Sequence, residues 1–320
     1  MPLETKKQQR QRDLRSSQNR RGREKPARVP AKLTRTSAFV PKRQGLITDR
    51  KFECTYVVPG GSVVTVRGGE LGTQHRDVLY AVMRLKAKEG LMTNPDYDPS
   101  SRDIVNRIRT TSFYSVQTTW RELTELLGNT PHKNNLRTLL HLLEDLKQVS
   151  MRVERGTLEE VMEAKEKNQL VGPGRSSNVI YDIKWSGKNL DDNLTITYGA
   201  YVREAMQTNY MVSLNAEVQF KLKNDHAKTF WPYVDSQVRH TWVDEQRLSE
   251  LAGRNLWGED SKMRNNFRVT CRKAFEDMVN AGGLLKFEIE VRGAGRKKTR
   301  RYHYKHALAR QIELQLDNAG

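Results

Sequence analysis

Two cysteines in 320 residues, Cys54 and Cys271, stand far apart, and neither belongs to a pair at metal-ligand spacing. This spacing implies no disulfide framework and no zinc site. Long apolar runs are also missing. Nothing approaches a membrane span, and no apolar core follows the basic start as in a signal peptide, so a cytosolic protein is expected. Carboxylates are scarce: 38 Asp and Glu stand against 56 Lys and Arg, for a formal charge of +18. The imbalance is steepest at the start, where residues 1–45 hold fourteen Lys or Arg against Glu4, Asp13 and Glu24, with no aromatic before Phe39. Such a stretch cannot bury enough apolar surface to offset its ordering entropy, and it predicts a disordered basic arm over 1–45 that binds a polyanion.

Catalytic constellations are missing as well. Gly172-Pro-Gly-Arg-Ser-Ser177 lacks the spacing and the Lys-Ser/Thr ending of a phosphate loop. Strand alternation sends His303 and His306 to opposite faces, where they cannot share an ion. No histidine pair with a placed tyrosine suggests a nicking enzyme, and no Arg/His/Arg set suggests a tyrosine recombinase. The expectation is a protein that is not an enzyme and has no metal or cofactor.

What is present is a repeat. Leu123-Thr-Glu-Leu-Leu-Gly128 is answered by Leu248-Ser-Glu-Leu-Ala-Gly253, and each copy is followed by a basic amphipathic helix ending on an acidic pair. The pairs lie in Leu143-Glu-Asp-Leu146 and Phe275-Glu-Asp-Met278. A short helix, a turn, a basic helix and a strand pair is the sequence pattern of a winged helix. The expected fold is therefore α+β, with two tandem winged-helix domains related by a pseudo-repeat and preceded by the disordered basic arm. The boundaries are 46–208 for the first domain and 209–320 for the second.

Around Pro59-Gly-Gly61 two alternating runs, Lys51–Val58 and Ser62–Arg67, predict a hairpin. Arg76–Glu89 has helical spacing and is closed by Gly90. Thr118 or Thr119 caps a helix Trp120–Leu127, and Thr130 with Pro131 starts the next, which runs to about Gln148. Val149–Glu154 and Val179–Trp185 read as wing strands joined by a partly helical, then flexible segment Glu159–Ser177, with Leu194–Tyr198 as a third strand. Tyr201–Gln207 and Met211–Leu214 form a bridge. The second copy reads as helices Asp225–His240, Asp244–Ala252 and Ser261–Asn280, then strands Leu284–Val291 and Arg300–His306. Pro232 inside the first of these helices predicts a kink or a late start.

On the helix Ser261–Asn280 the predicted core stripe is Met263, Phe267, Cys271, Ala274 and Met278. The other side groups Ser261, Arg264, Asn265, Arg268 and Arg272, without a carboxylate among them. A helix in the major groove reads bases through forked donors and acceptors, which Arg and Asn supply for guanine and adenine. The hairpin residues Arg292, Arg296, Lys297, Lys298, Arg300 and Arg301 are expected on phosphates or in the minor groove, giving salt-dependent affinity. In the first copy the weaker face of Lys133, Asn134, Arg137 and His141 is expected to touch phosphates, while its leucine side and Trp120 suit a protein contact.

This order of elements resembles the plasmid replication initiators of the Rep type, and most closely those of broad-host-range plasmids. The resemblance rests on Thr36-Ser-Ala-Phe-Val40 with the Phe52–Gly69 hairpin and Glu70-Leu-Gly72, on Trp120–Glu154, and on Met211–Leu214 leading into Asp225–His240. The basic C-terminal hairpin completes it. It implies binding of double-stranded origin DNA at direct repeats (iterons), opening of an AT-rich segment, and recruitment of the host initiator and replicative helicase. It further implies a homodimer as the inactive form, with Arg264, Arg268 and Arg272 as the principal base readers. Two other functions fit the same residues: a two-headed transcriptional regulator, and an enzyme that nicks or recombines DNA.

Overall fold

The computed structural model describes residues 26–35, 38–41, 52–58, 62–94, 97–102, 107–172, 174–237, 240–254, 260–293 and 298–307. The N-terminal half opens with β1 (Ala27–Pro30), a 3-10 turn (Ala31–Arg35), β2 (Phe39–Val40), β3 (Phe52–Val58), β4 (Ser62–Gly68) and β5 (Leu71–Gly72). Then come α1 (Thr73–Arg84), β6 (Lys88–Thr93), β7 (Thr110–Thr119), α2 (Trp120–Leu126), α3 (Asn135–Gln148), β8 (Ser150–Arg155), α4 (Leu158–Glu166) and β9 (Gly174–Asn178). β10 (Ile180–Trp185), β11 (Asn193–Tyr198), α5 (Ala200–Gln207), β12 (Met211–Leu214), α6 (Ala216–Lys221) and α7 (Asp225–Ser236) lead into the last stretch. That stretch is β13 (Trp242–Asp244), α8 (Glu245–Leu251), α9 (Ser261–Asn280), β14 (Leu284–Arg292) and β15 (Thr299–His306). The class is mixed helix and sheet.

The chain divides into two compact units. A middle unit takes Thr48–Gly69 and Gln74–Tyr210, and a terminal unit gathers Met1–Ile47, Glu70–Thr73 and Met211–Gly320.

The middle unit holds two four-stranded sheets, ordered β10-β11-β7-β6 and β3-β4-β8-β9. This corrects the expected wing. Ser150–Arg155 pairs with β4 and β9, whereas Ile180–Trp185 pairs with β11. The segment expected to be flexible ends in strand β9, and α4 before it is closed by a capping box of Thr157 and Glu160. Gly90 also departs from expectation, because it stops no helix. It sits in β6 opposite Phe113, and a Cβ there would stand 2.5 Å from the ring, so the missing side chain makes room for an aromatic partner.

In the terminal unit β1 pairs antiparallel with β12, Ala27 opposite Leu214, and β2 runs parallel to β5. Ala27, Val29, Leu33 and Phe39 are all fully buried. The expectation of disorder across 1–45 is thus corrected for residues 26–35 and 38–41, while 1–25 and 42–45 lie outside the described residues. The physical reason is that few apolar residues suffice when each alternates into a core and the backbone finds a ladder partner. Met211–Leu214, expected as a bridge, is that partner. The unit's core gathers Phe230, Trp231, Phe267, Phe275 and Tyr302, with Phe275 stacked on Tyr302 at 5.0 Å. Pro232 is buried inside α7, which ends at Ser236, four residues earlier than its sequence pattern suggested.

The two copies of the sequence repeat adopt matching local structures. β7 leads into α2 and β13 into α8, helices of seven residues each. Leu123 and Leu248 are fully buried, and Gly128 and Gly253 leave their helices at φ 74° and 68°, a backbone region that disfavours side chains. In the terminal unit α9 is followed directly by the antiparallel pair β14–β15, with β15 beside β13, whereas in the middle unit β8, α4 and β9 come between α3 and the antiparallel pair β10–β11, whose second strand lies beside β7. Even the acidic pairs act alike. Asp145 on α3 binds His75 near the start of α1 at 3.0 Å, and Asp277 on α9 accepts from the amides of Lys223 and Asn224 just before α7, both at 2.8 Å. A carboxylate at the start of a helix is favoured by the helix dipole and by the open N–H groups.

Candidate nucleic-acid interface

Helix α9 spans the residues its sequence pattern predicts. Asp260 caps it by accepting from the amide of Met263 at 2.7 Å. Its buried side is Phe267, Cys271, Ala274, Phe275 and Met278. Met263, expected in this stripe, is 48% exposed, and Phe275 takes a core place instead. The core is therefore centred further round the helix, and the outward face turns with it.

The five predicted face residues meet different surroundings. Ser261 and Asn265 are exposed, and Arg264 is half-buried with no ion pair to a described carboxylate. Arg272 is exposed, with Glu276 at 3.7 Å along the same helix. Arg268 is the clear correction. Its Nε and Nη2 donate to Glu245 at 2.6 and 3.1 Å, and Nη2 also donates to the carbonyl of Lys298 at 2.9 Å. Glu245 is fully buried and also accepts from the Arg300 amide at 3.2 Å. The carboxylate beside it holds the Arg268 guanidinium above its ordinary pKa. Arg268 thus fastens α9 to α8 and to the hairpin, through a partner some twenty residues away that no local pattern reveals. At 100° per residue the positions most nearly opposite the core are Lys262, Asn265, Asn266, Val269, Arg272, Lys273, Glu276 and Asn280, all exposed. Lys262, Asn266, Val269 and Lys273 were missed. Wheel arithmetic alone would have found them, because at about 100° per residue Val269 lies nearly opposite the predicted stripe as well as the observed one.

The hairpin β14–β15 stands beside α9. Arg292 is exposed, at 3.2 Å from Glu290, and Lys298 is exposed while its carbonyl serves Arg268. Arg296 and Lys297 lie outside the described residues. Arg300 is half-buried and its amide is committed to Glu245. Arg301 is corrected as a free phosphate clamp. It forks onto Asp244 at 2.7 and 3.1 Å and lies 3.6 Å over the Trp242 ring, and the carboxylate raises its pKa. The cause is register, which sets Arg301 opposite both Asp244 and Glu290. The stretch Arg292–Arg310 holds no acid, yet the neighbouring strands bring two. Even so, Ser261 to His306 carries thirteen Lys or Arg against four Asp or Glu.

In the middle unit α3 starts at Asn135, after a turn, and not at Pro131. Thr130 therefore caps nothing there; among the two candidate caps of α2 it is Thr119 that accepts from Glu122. Leu139, Leu143 and Leu146 are buried under α3. Lys133, Asn134, Arg137 and His141 are all exposed and, among the described residues, none forms an ion pair. Trp120, expected to be available for a protein contact, is buried in its own unit.

Among the described residues there is no cluster of His, Cys, Asp and Glu that could hold a metal ion, and no helix long and apolar enough to cross a membrane. Cys54 and Cys271 are free, and burial pushes the Cys271 thiol up.

No protein-family model matches the chain, and no curated protein sequence matches it closely. Solved structures do share its fold. A selenomethionine derivative of domains 2 and 3 of RctB matches with a TM-score of 0.52 at 10% identity, over 87% of this chain and 98% of that one. A second structure of RctB domains 2–3 gives 0.50 at 10% identity, over 89% and 99%. The Pi initiator protein in complex with iteron DNA gives 0.47 at 12% identity, over 74% and 92%.

Proposed function

We propose that this protein is a replication initiator of the Rep type, which binds the direct repeats of an origin in double-stranded DNA through two winged helices. The observation that supports the reading is a local repetition: α3 and α9 each follow a strand and a seven-residue helix ended by a positive-φ glycine, and each turns a polar, cation-bearing face to solvent. The sharing of the whole two-unit fold with RctB domains 2 and 3 supports it. A single α-helix fits the major groove of B-form DNA, and a basic hairpin beside it suits the backbone.

In this reading α9 reads bases, and Arg292, Lys298 and the neighbouring cations hold phosphates. Lys133, Asn134, Arg137 and His141 on and before α3 supply a second, largely phosphate contact. Two heads of modest affinity on one chain multiply through effective concentration. The protein makes and breaks no covalent bond, and origin opening draws on binding energy spent in deforming DNA. Recruitment of the host initiator and helicase, and an inactive homodimer, belong to the same proposal, as do a plasmid origin and a place in the bacterial cytoplasm.

A footprint of the purified protein on the DNA upstream of its own gene tests the proposal. Protection of direct repeats about two helical turns long is expected, whereas a single palindrome would favour a transcriptional regulator. Nicks appearing in supercoiled DNA incubated with protein and a divalent metal would overturn the non-enzymatic part.

A further inference from the structure

We infer that α9 selects A·T base pairs, reading adenine through Asn265 and Asn266 and the 5-methyl group of thymine through Val269; this rests on the proposed binding of duplex DNA and specifies what that site recognises. Val269 stands almost diametrically opposite the buried side of the helix and is 44% exposed. An aliphatic, β-branched side chain there gains nothing from burial within the protein and lowers helix propensity slightly. Asn265 and Asn266, both exposed, lie one turn before it, and Arg272 and Lys273 lie one turn after it.

The chemistry of this ridge differs from that of an arginine-led reader. Asparagine pairs two-fold with the N6 and N7 edge of adenine, and apolar groups contact the thymine methyl. Arginine is the usual partner of guanine. Arg268, the arginine nearest Val269 in sequence, is already forked onto buried Glu245 and donates to the Lys298 carbonyl. Its Nη1 also donates to Asn265 Oδ1 at 3.5 Å, a long contact that pairing of Asn265 with adenine would displace. Arg272 has Glu276 at 3.7 Å. Lys262 before the ridge and Lys273 after it would hold phosphates while the uncharged middle meets base edges, and Glu276, beyond Lys273 on the same line, is drawn to Arg272 at 3.7 Å.

The test is selection of binding sites from a random duplex pool by the full-length protein, followed by replacement of each thymine in the selected site with deoxyuridine, one at a time. At one thymine the wild-type protein should lose affinity by about fourfold, the worth of one buried methyl. In Val269→Ser that replacement should cost nothing further. Asn265→Ala and Asn266→Ala should each relax the preference for adenine at one position by tenfold or more. Specific binding with indifference to every deoxyuridine, or with methyl sensitivity retained in Val269→Ser, would overturn the inference and leave the initiator proposal standing. Failure to select any sequence would overturn both.

Discussion

Arg268 on α9 grips Glu245 on α8 with two hydrogen bonds of 2.6 and 3.1 Å, and the carboxylate it holds is fully buried. Arg268 is itself only 17% exposed. Removing either partner strands the other as an uncompensated charge in the interior. Arg268→Ala and Glu245→Ala are each expected to lower stability by about 3–5 kcal/mol, measured by denaturant unfolding. The pair Arg268→Met with Glu245→Leu should recover most of that loss. If Arg268→Ala kept full stability and lost only cognate DNA binding, the residue would be a base reader after all.

His226 sits against Phe230 and Phe267, with ring centroids 5.9 and 6.4 Å away. Burial first, and the Arg254 cation second, press its pKa from 6.5 down to about 4. A depressed histidine is neutral in the folded protein, while the unfolded chain takes up its proton near pH 6.5. The stability it contributes is complete above that pH and falls away as the pH drops towards 4, by up to about 3 kcal/mol. Unfolding titrations between pH 7 and 4 should show this slope, and His226→Phe should flatten it.

Deleting residues 1–25 removes nine Lys or Arg and should flatten the salt dependence of DNA binding with stability unchanged. Deleting 1–40 should act differently. It strips β1 from β12 and takes Val29, Leu33 and Phe39 from the terminal core, so the unfolding midpoint of that unit should fall as well. Equal stability of the two truncations would contradict the pairing.

Arg292 and Lys298 are exposed at the mouth of the hairpin, unlike Arg301, which is occupied by Asp244 and Trp242. Arg292→Ala and Lys298→Ala should each weaken binding to all DNA sequences alike and lower the slope of log affinity against log salt by about 1. Arg301→Ala should leave that slope nearly unchanged.

Much of this architecture was legible in residue order. The helix Ser261–Asn280, the two strands after it and the repeated Leu-x-Glu-Leu-x-Gly turns follow from periodicity and from glycine's tolerance of positive φ. What was not legible is pairing at a distance. Ser150–Arg155 reads equally well as a wing strand and as the neighbour of β4, because alternation says that a strand exists and not which strand it meets. The same limit misplaced Arg268 and Arg301, whose carboxylate partners come from other elements. On α9 the expected face was drawn on one flank of the helix: at about 100° per residue Arg268 stands beside the stripe, while Val269 lies nearly opposite it.

The pairing of Ala27 with Leu214 makes the middle unit an excursion between two strands of the other. During synthesis, strand β1 emerges roughly 180 residues before its partner, at chain elongation speeds of seconds to tens of seconds. The inner unit has that interval to form on its own. The outer one must wait for β12 and the elements that follow it, so chains terminated before Met211 would carry the inner body and an orphaned strand β1.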